Sequence, residues 1–168
     1  LEIATVLLAL LATGLLWRKV HIGFVGIGAM STIFAPGAAV DTVKQFREDV
    51  VVMSRNFYGT LRVKEYNPPD VQYRKRSLVH GAILHGEQWM SDKYRRAATT
   101  YYKTSSGIGK AILAHEGRPI KVGVIGLGVG TLATYGDADD TYRFYDINPA
   151  VPRIAREQFT YLKDSPAK

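Results

Sequence analysis

Cysteine is absent from the 168 residues of the chain, which excludes disulfide scaffolds, zinc sites with cysteine ligands and thiol nucleophiles. A protein without thiols can function on either side of a bacterial membrane, so the redox compartment stays open. Acidic residues are few, since 15 Asp and Glu stand against 22 Lys and Arg and leave a net charge of +7. With 46% hydrophobic and 22% charged residues, the chain has the composition of a folded domain and not of a disordered polymer.

Charged side chains are also missing from most of the first forty residues. Residues 3–17 and 20–40 contain no Asp, Glu, Lys or Arg, and a membrane span needs about 20 apolar residues. Because the chain begins with Leu1 and not Met, we expect a fragment that contains the end of one hydrophobic helix and a complete second one. The sequence therefore predicts transmembrane helices over residues 1–40 that anchor the protein in the bacterial inner membrane. Basic residues lie both between and after these helices, so the orientation stays open, and a cytoplasmic position is the expectation for the remaining part. A cleaved secretory signal and a buried hairpin of core helices are the alternatives.

The segment after the hydrophobic region is divided into a linker, residues 41–54, and a small antiparallel β unit, residues 55–96. Leu61 and Val63 alternate with polar residues, which is the period of a half-buried strand. The prolines of 67–70 end this strand, and a second extended stretch follows over 71–84. Its basic triplet at 74–76 is interpreted as a solvated strand edge, with contact to phosphate or to an anionic membrane surface as the alternative. A helix is expected over 99–116.

The strongest motif begins with an apolar run, residues 120–125, that is typical of a buried parallel strand. The run ends in a glycine loop that contains Gly126, Gly128 and Gly130, and a second strand, 142–145, ends in Asp146. Glycines let a backbone turn tightly beside a ligand, and a carboxylate at the end of the next strand accepts hydrogen bonds from a ribose diol. A short helical stretch over 131–135 and a helix that opens at Pro149 complete a strand–helix–strand–helix order.

The spacing of the three glycines separates two ligand classes. A dinucleotide site would have glycine at position 131, where this chain has Thr131. The observed G-x-G-x-G spacing is instead that of S-adenosylmethionine-type sites, which need no cradle for a pyrophosphate. The sequence therefore favours an adenosyl ligand, with a nicotinamide dinucleotide and a purely structural turn as alternatives.

Several segments of the chain, in order, resemble the spermidine synthase-like (polyamine aminopropyltransferase) proteins, and in particular the branch in which this domain follows membrane helices. The segments are 55–63, 78–88, 99–102, 106–109, 122–131 and 145–149. The resemblance implies an α/β fold in which residues 97–168 are the start of a Rossmann-like, methyltransferase-type domain with a parallel sheet. The small antiparallel β unit and the transmembrane helices would precede this domain.

The resemblance also implies an activity and a set of site residues. Such enzymes transfer an aminopropyl group from decarboxylated S-adenosylmethionine to a polyamine such as putrescine, without a metal, and a homodimer and no nucleic-acid partner are expected. Asp146 would bind the ribose, and Tyr101 and Tyr102 would lie near the amine substrate. The remaining contacts to the donor would come from Gln88 and from the glycine loop, Gly126, Gly128 and Gly130.

Some positions differ from the pattern of that family. Val129 occupies the place of an aspartate in the glycine loop, and Ala97 and Ala98 lie near the place of an acidic pair. The catalytic aspartate is expected beyond Lys168, so these residues alone are not expected to turn over substrate. A methyltransferase and a non-catalytic nucleoside-binding module attached to a transporter therefore stay open. The net charge and the triplet at 74–76 also suggest a nucleic-acid-binding protein, which the lack of interleaved aromatic residues disfavours.

Overall fold

The computed structural model describes residues 2–16, 37, 39–115 and 117–168. The chain forms two compact units, Leu1–Glu48 and Asp49–Lys168. In the first unit, helix α1 covers Glu2–Leu16, and residues 39–47 are helical as well.

The predicted fold class is wrong for the first unit, where transmembrane helices were expected over residues 1–40. Helix α1 has 15 residues, which at 1.5 Å per residue span about 22 Å of the roughly 30 Å hydrocarbon core. Within the described residues, no helix combines the length and the apolar character that a membrane crossing requires. Apart from residues 37, 39 and 40, the second expected span, 20–40, lies outside the described residues. The fold that the structure supports is mixed α/β, with an antiparallel and a parallel sheet.

The second unit begins with a four-stranded antiparallel sheet of order β1-β2-β3-β4. Its strands are β1 (Val50–Asn56), β2 (Gly59–Tyr66), β3 (Lys75–His80) and β4 (Ile83–Trp89). Strand β1 begins inside the segment 41–54 that was expected to be a linker. Its valines alternate between exposed and half-buried positions, the pattern of a strand that is covered on one face only.

A 3-10 turn, Thr100–Tyr102, and helix α2, Gly107–Leu113, follow the antiparallel sheet where one helix over 99–116 was expected. The Ser106 side chain accepts a hydrogen bond from the Gly109 backbone N–H and caps α2. A Cβ on Gly109 would clash with the Lys103 carbonyl oxygen. The chain before α2 therefore folds back against the helix, which prevents a continuous helix through both segments.

The parallel sheet consists of β5 (Lys121–Ile125) and β6 (Thr141–Tyr145), joined through a 3-10 helix, Thr131–Tyr135. Helices α3 (Ala150–Gln158) and α4 (Tyr161–Asp164) follow. The expectation that β5 is a buried strand is wrong, because its residues alternate between exposed and half-buried and Ile125 is 95% exposed. An apolar run matches a buried strand in sequence, but burial depends on what the rest of the chain places over each face.

The hydrophobic core of the second unit joins the antiparallel sheet to the glycine loop and to the last two helices. Leu61 and Val63 of β2 and Leu78 of β3 pack with residues of the loop and helices, which are Leu127, Val129, Ala150, Val151, Ile154, Ala155, Phe159 and Tyr161. This core holds the β3–β4 hairpin beside the loop that follows β5.

Candidate functional site

The candidate site is a cavity of about 340 Å³ at the carboxyl ends of β5 and β6. Gly126, Gly128 and Asp146 line it from the parallel sheet, and Tyr101 and Tyr102 line it from the 3-10 turn. Five of the expected site residues therefore come together at one cavity. Gly130 and Gln88 do not line it.

Gly128 is required by a close approach of two backbones. Its φ is +57°, a region that side chains disfavour, and a Cβ there would lie 2.6 Å from the His85 carbonyl oxygen. Gly126 also has a positive φ, +92°, but a Cβ at Gly126 would have nothing within 4 Å. The glycine loop is therefore open toward the cavity at Gly126 and tightly packed against β4 at Gly128.

Asp146 connects the loops that follow the two parallel strands. Its Oδ2 accepts a hydrogen bond from the Leu127 N–H (3.0 Å), and its Oδ1 accepts one from the Asn148 N–H (2.9 Å). Each oxygen of a carboxylate can accept more than one hydrogen bond. Asp146 is therefore oriented by the backbone and keeps acceptor capacity for a ligand in the cavity.

The two tyrosines form one wall of the cavity, with ring centroids 4.4 Å apart. Burial raises the pKa of Tyr102 to about 12, and a hydrogen bond with Tyr101 adds to this effect. The Tyr135 hydroxyl donates to the Tyr102 carbonyl and fixes the turn. At neutral pH the Tyr102 side chain is therefore a neutral phenol that can donate or accept a hydrogen bond.

Gln88, which was expected to contact the donor, is a structural residue in the interior. Its Nε2 donates to the Arg95 carbonyl and to Thr160 Oγ1, both at 2.8 Å, and its Oε1 accepts from the Thr160 N–H at 2.8 Å. The side chain is fully buried and ties β4 to the start of α4. These bonds leave the amide directed at the protein and not at the cavity.

Val129 is also part of the core. Its side chain is 1% exposed, and a Cβ on Gly86 would lie 2.7 Å from its Cγ2. The position therefore faces β4 and does not line the cavity. Among the residues that line the cavity, Asp146 is the only carboxylate.

Two histidines that were not among the expected site residues, His80 and His85, also line the cavity. Their ring centroids are 5.6 Å apart, and His80 Nε2 lies 2.7 Å from the Tyr58 carbonyl oxygen. A carbonyl only accepts, so His80 Nε2 carries the hydrogen of this contact. The sequence feature that could have indicated these histidines is the repeated His-Gly pair at 80–81 and 85–86, on either side of the β3–β4 turn.

Asn148 also lines the cavity. Its Oδ1 accepts from the Ala150 N–H (3.0 Å) at the start of α3 and from Asn56 Nδ2 (2.6 Å) at the end of β1. This residue therefore joins the two sheets at the floor of the cavity.

In the described part of the chain, no group of three or more His, Asp or Glu side chains is placed to hold a metal ion. The arrangement offers hydrogen-bond acceptors at Asp146, aromatic rings at Tyr101 and Tyr102, and imidazoles at His80 and His85. Comparisons with protein-family models, with curated proteins and with solved structures find no match to this chain.

Proposed function

We propose that the cavity binds the adenosyl part of an S-adenosylmethionine-type donor and that the chain belongs to a spermidine synthase-like transferase. The observation that carries the proposal is the position of Asp146 beside Gly126 and Gly128 at one cavity. Ligands of open parallel sheets bind at the carboxyl ends of the strands, where this cavity lies. Its volume of about 340 Å³ is within the range of small-molecule sites.

The ribose of the donor is assigned to Asp146. The backbone N–H groups of Leu127 and Asn148 hold the two carboxylate oxygens, so a ribose diol meets an acceptor pair that is already oriented. Preorganised acceptors lower the entropy that binding costs. The open space at Gly126 gives the ligand close access to the backbone.

The group transfer is assigned to the side of the cavity that carries Tyr101 and Tyr102. A nucleophilic amine attacks the carbon bonded to the sulfonium of the donor, the new C–N bond forms, and the C–S bond breaks to release a neutral thioether. The proton of the amine must pass to a base within hydrogen-bond reach. The tyrosines would position the acceptor, and an aminopropyl group would be the group transferred.

A second candidate function has its own supporting observation, which is the scarcity of negative charge. A polyamine needs carboxylates to offset the loss of its hydration, and Asp146 is the only one among the residues lining the cavity. Val129, at the position of a family aspartate, is buried in the core. This charge distribution favours a methyltransferase or a non-catalytic nucleoside-binding module as the second candidate.

Isothermal titration calorimetry with S-adenosylmethionine and with its decarboxylated form separates aminopropyl transfer from methyl transfer. Tighter binding of the decarboxylated ligand supports aminopropyl transfer. Tighter binding of S-adenosylmethionine supports methyl transfer. If neither ligand gives a binding isotherm, the proposed adenosyl site is wrong.

Asp146→Asn tests the ribose contact, and Asp140→Asn is its matched control. The Asp140 carboxylate also accepts two backbone N–H groups, from Ile120 (2.8 Å) and Asp137 (2.9 Å), but it precedes β6 and lies away from the cavity. Hydrogen bonds to a charged group contribute about 1.5–3 kcal/mol. We therefore expect Asp146→Asn to weaken binding about tenfold to a hundredfold and Asp140→Asn to leave it unchanged. Equal affinities of the two variants would contradict the assignment of the ribose contact to Asp146.

A further inference from the structure

Three aromatic side chains, Tyr73, Trp89 and Tyr94, form a surface cluster that we name the aromatic platform. The rings of Tyr73 and Tyr94 are stacked, with centroids 6.1 Å apart and an interplanar angle of 15°. Trp89 meets Tyr73 edge-on, with centroids 6.2 Å apart. Tyr73 is 46% exposed. The platform does not line the cavity described above, so the proposed function does not account for it.

Hydrogen bonds hold the platform in place from both sides. The turn Val71–Tyr73 is capped by Asp70, which accepts from the Gln72 N–H. Ser91 Oγ donates to the Gln72 carbonyl, and the Met90 N–H donates to the Arg74 carbonyl, both at 2.8 Å. The segment before β3 is therefore fixed against the end of β4, and the rings are preorganised.

Basic side chains surround the aromatic platform. Lys93 Nζ lies 4.8 Å from the Tyr94 ring centroid, and Lys75 Nζ lies 5.6 Å from that of Trp89. Lys75 is paired with Glu87 at 3.1 Å, whereas Arg74 and Lys93 join no salt bridge among the described residues. A hydrogen bond with Tyr94 raises the pKa of Lys93, so this side chain is a cation at neutral pH.

The carboxylates near the aromatic platform already have partners. Glu87 is paired with Lys75, and Asp92 lies 3.3 Å from Arg95. Asp70 accepts from the Gln72 side-chain amide at 2.6 Å. Arg74 and Lys93 therefore form no ion pair among the described residues, and only the longer-range attraction of Glu65 on Arg74 and of Asp70 on Lys93 acts on them.

We infer that the aromatic platform binds single-stranded nucleic acid, with a base stacked on Tyr73 and phosphates at Arg74 and Lys93. Proteins that bind single strands without sequence preference combine stacking rings with basic side chains, and both lie together here. The sequence predicts no nucleic-acid partner, because aromatic residues are not interleaved with the basic triplet. The fold supplies them by bringing residues 73, 89 and 94 to one surface.

Fluorescence anisotropy of a labelled oligothymidylate of about 12 nucleotides, titrated with the full chain, tests this inference. With two phosphate contacts and about 0.7 released counterions per contact, the logarithm of the affinity should fall with the logarithm of the salt concentration at a slope of about −1.4. Tyr73→Leu keeps an apolar side chain but removes the stacking ring, and it should weaken binding about tenfold. Tyr145→Leu, at an exposed tyrosine of the parallel sheet, should bind as the original chain does.

Substitutions of the two cations give an independent measurement. Arg74→Gln and Lys93→Gln should each reduce the magnitude of the salt slope by about 0.7, whereas Lys121→Gln removes an exposed charge on β5 and should leave affinity nearly unchanged. Circular dichroism melts establish that each variant is folded. The inference is overturned if the oligonucleotide does not bind, if Tyr73→Leu and Tyr145→Leu behave alike, or if phosphatidylserine vesicles bind at this surface while the oligonucleotide does not.

Discussion

Gly128→Ala is expected to destabilise the fold because the loop of the candidate site has no space for a methyl group there. The new Cβ would lie 2.6 Å from the His85 carbonyl oxygen, where ordinary contacts begin at 3.4 Å. The two half-buried backbones must therefore separate by roughly 0.8 Å at the wall of the cavity. The backbone of Gly128 also has a φ of +57°, which alanine disfavours.

The two costs can be separated with Gly81→Ala. Gly81 has nearly the same φ, +60°, and a Cβ there would have nothing within 4 Å. The left-handed conformation costs a non-glycine residue about 1–2 kcal/mol, and this is the whole effect expected for Gly81→Ala. Forcing an extra carbon into a tight contact adds about 1–3 kcal/mol. We therefore expect Gly128→Ala to lower the free energy of unfolding by about 2–5 kcal/mol.

Urea denaturation of the two variants, followed by circular dichroism, measures this difference. The midpoint should shift further for Gly128→Ala, with little change in the dependence on urea concentration. If Gly128→Ala were no more destabilising than Gly81→Ala, the close approach of β4 to the glycine loop would be incorrect. The same outcome would remove the wall that His85 contributes to the cavity.

Two further predictions concern buried polar groups. Gln88→Leu should lower the free energy of unfolding by about 2–4 kcal/mol, because it leaves the Arg95 carbonyl and the Thr160 N–H without partners. Calorimetry should find the affinity for an adenosyl ligand unchanged. A loss of affinity in a folded variant would contradict the structural role of Gln88. Hydrogen bonds from the backbone N–H groups of Asp137 and Ile120 lower the pKa of Asp140. The ionised Asp140 therefore stabilises the fold fully above its unfolded-state pKa of about 3.9, and this contribution is lost as the pH falls through the lower pKa of the folded state. Urea titrations between pH 7 and pH 2 should show this loss, and Asp140→Asn should reduce it.

Local patterns in the sequence predicted the elements that hold the candidate site. The alternation around Leu61 and Val63 matches strand β2. The glycine loop lies between the two parallel strands, and Asp146 follows the second of them. These features depend on neighbouring residues, since a strand period and a tight glycine turn are properties of a short segment. For the same reason, the expected helix at Pro149 is present as α3.

The structure departs from local expectation at places where distant residues decide the outcome. Gln88 has the sequence context of a ligand contact, yet its partners, Arg95 and Thr160, bind it inside the core. Ile125 belongs to an apolar run but is 95% exposed, because burial depends on what covers a strand. The hydrophobic start of the chain indicated membrane spans, whereas the described helix there, Glu2–Leu16, is too short for one.

The sequence by itself determined where the chain turns and which short segments alternate, because those properties arise from residues next to one another. Only the tertiary structure decided that His80 and His85 face the same cavity as Asp146 and that Tyr73 stacks on Tyr94. Side chains far apart in sequence meet because β3 pairs with β4, with a register shift between Ser77 and Val79, and because the sheet packs against a common core. That packing is a property of the whole unit, and no local pattern encodes it.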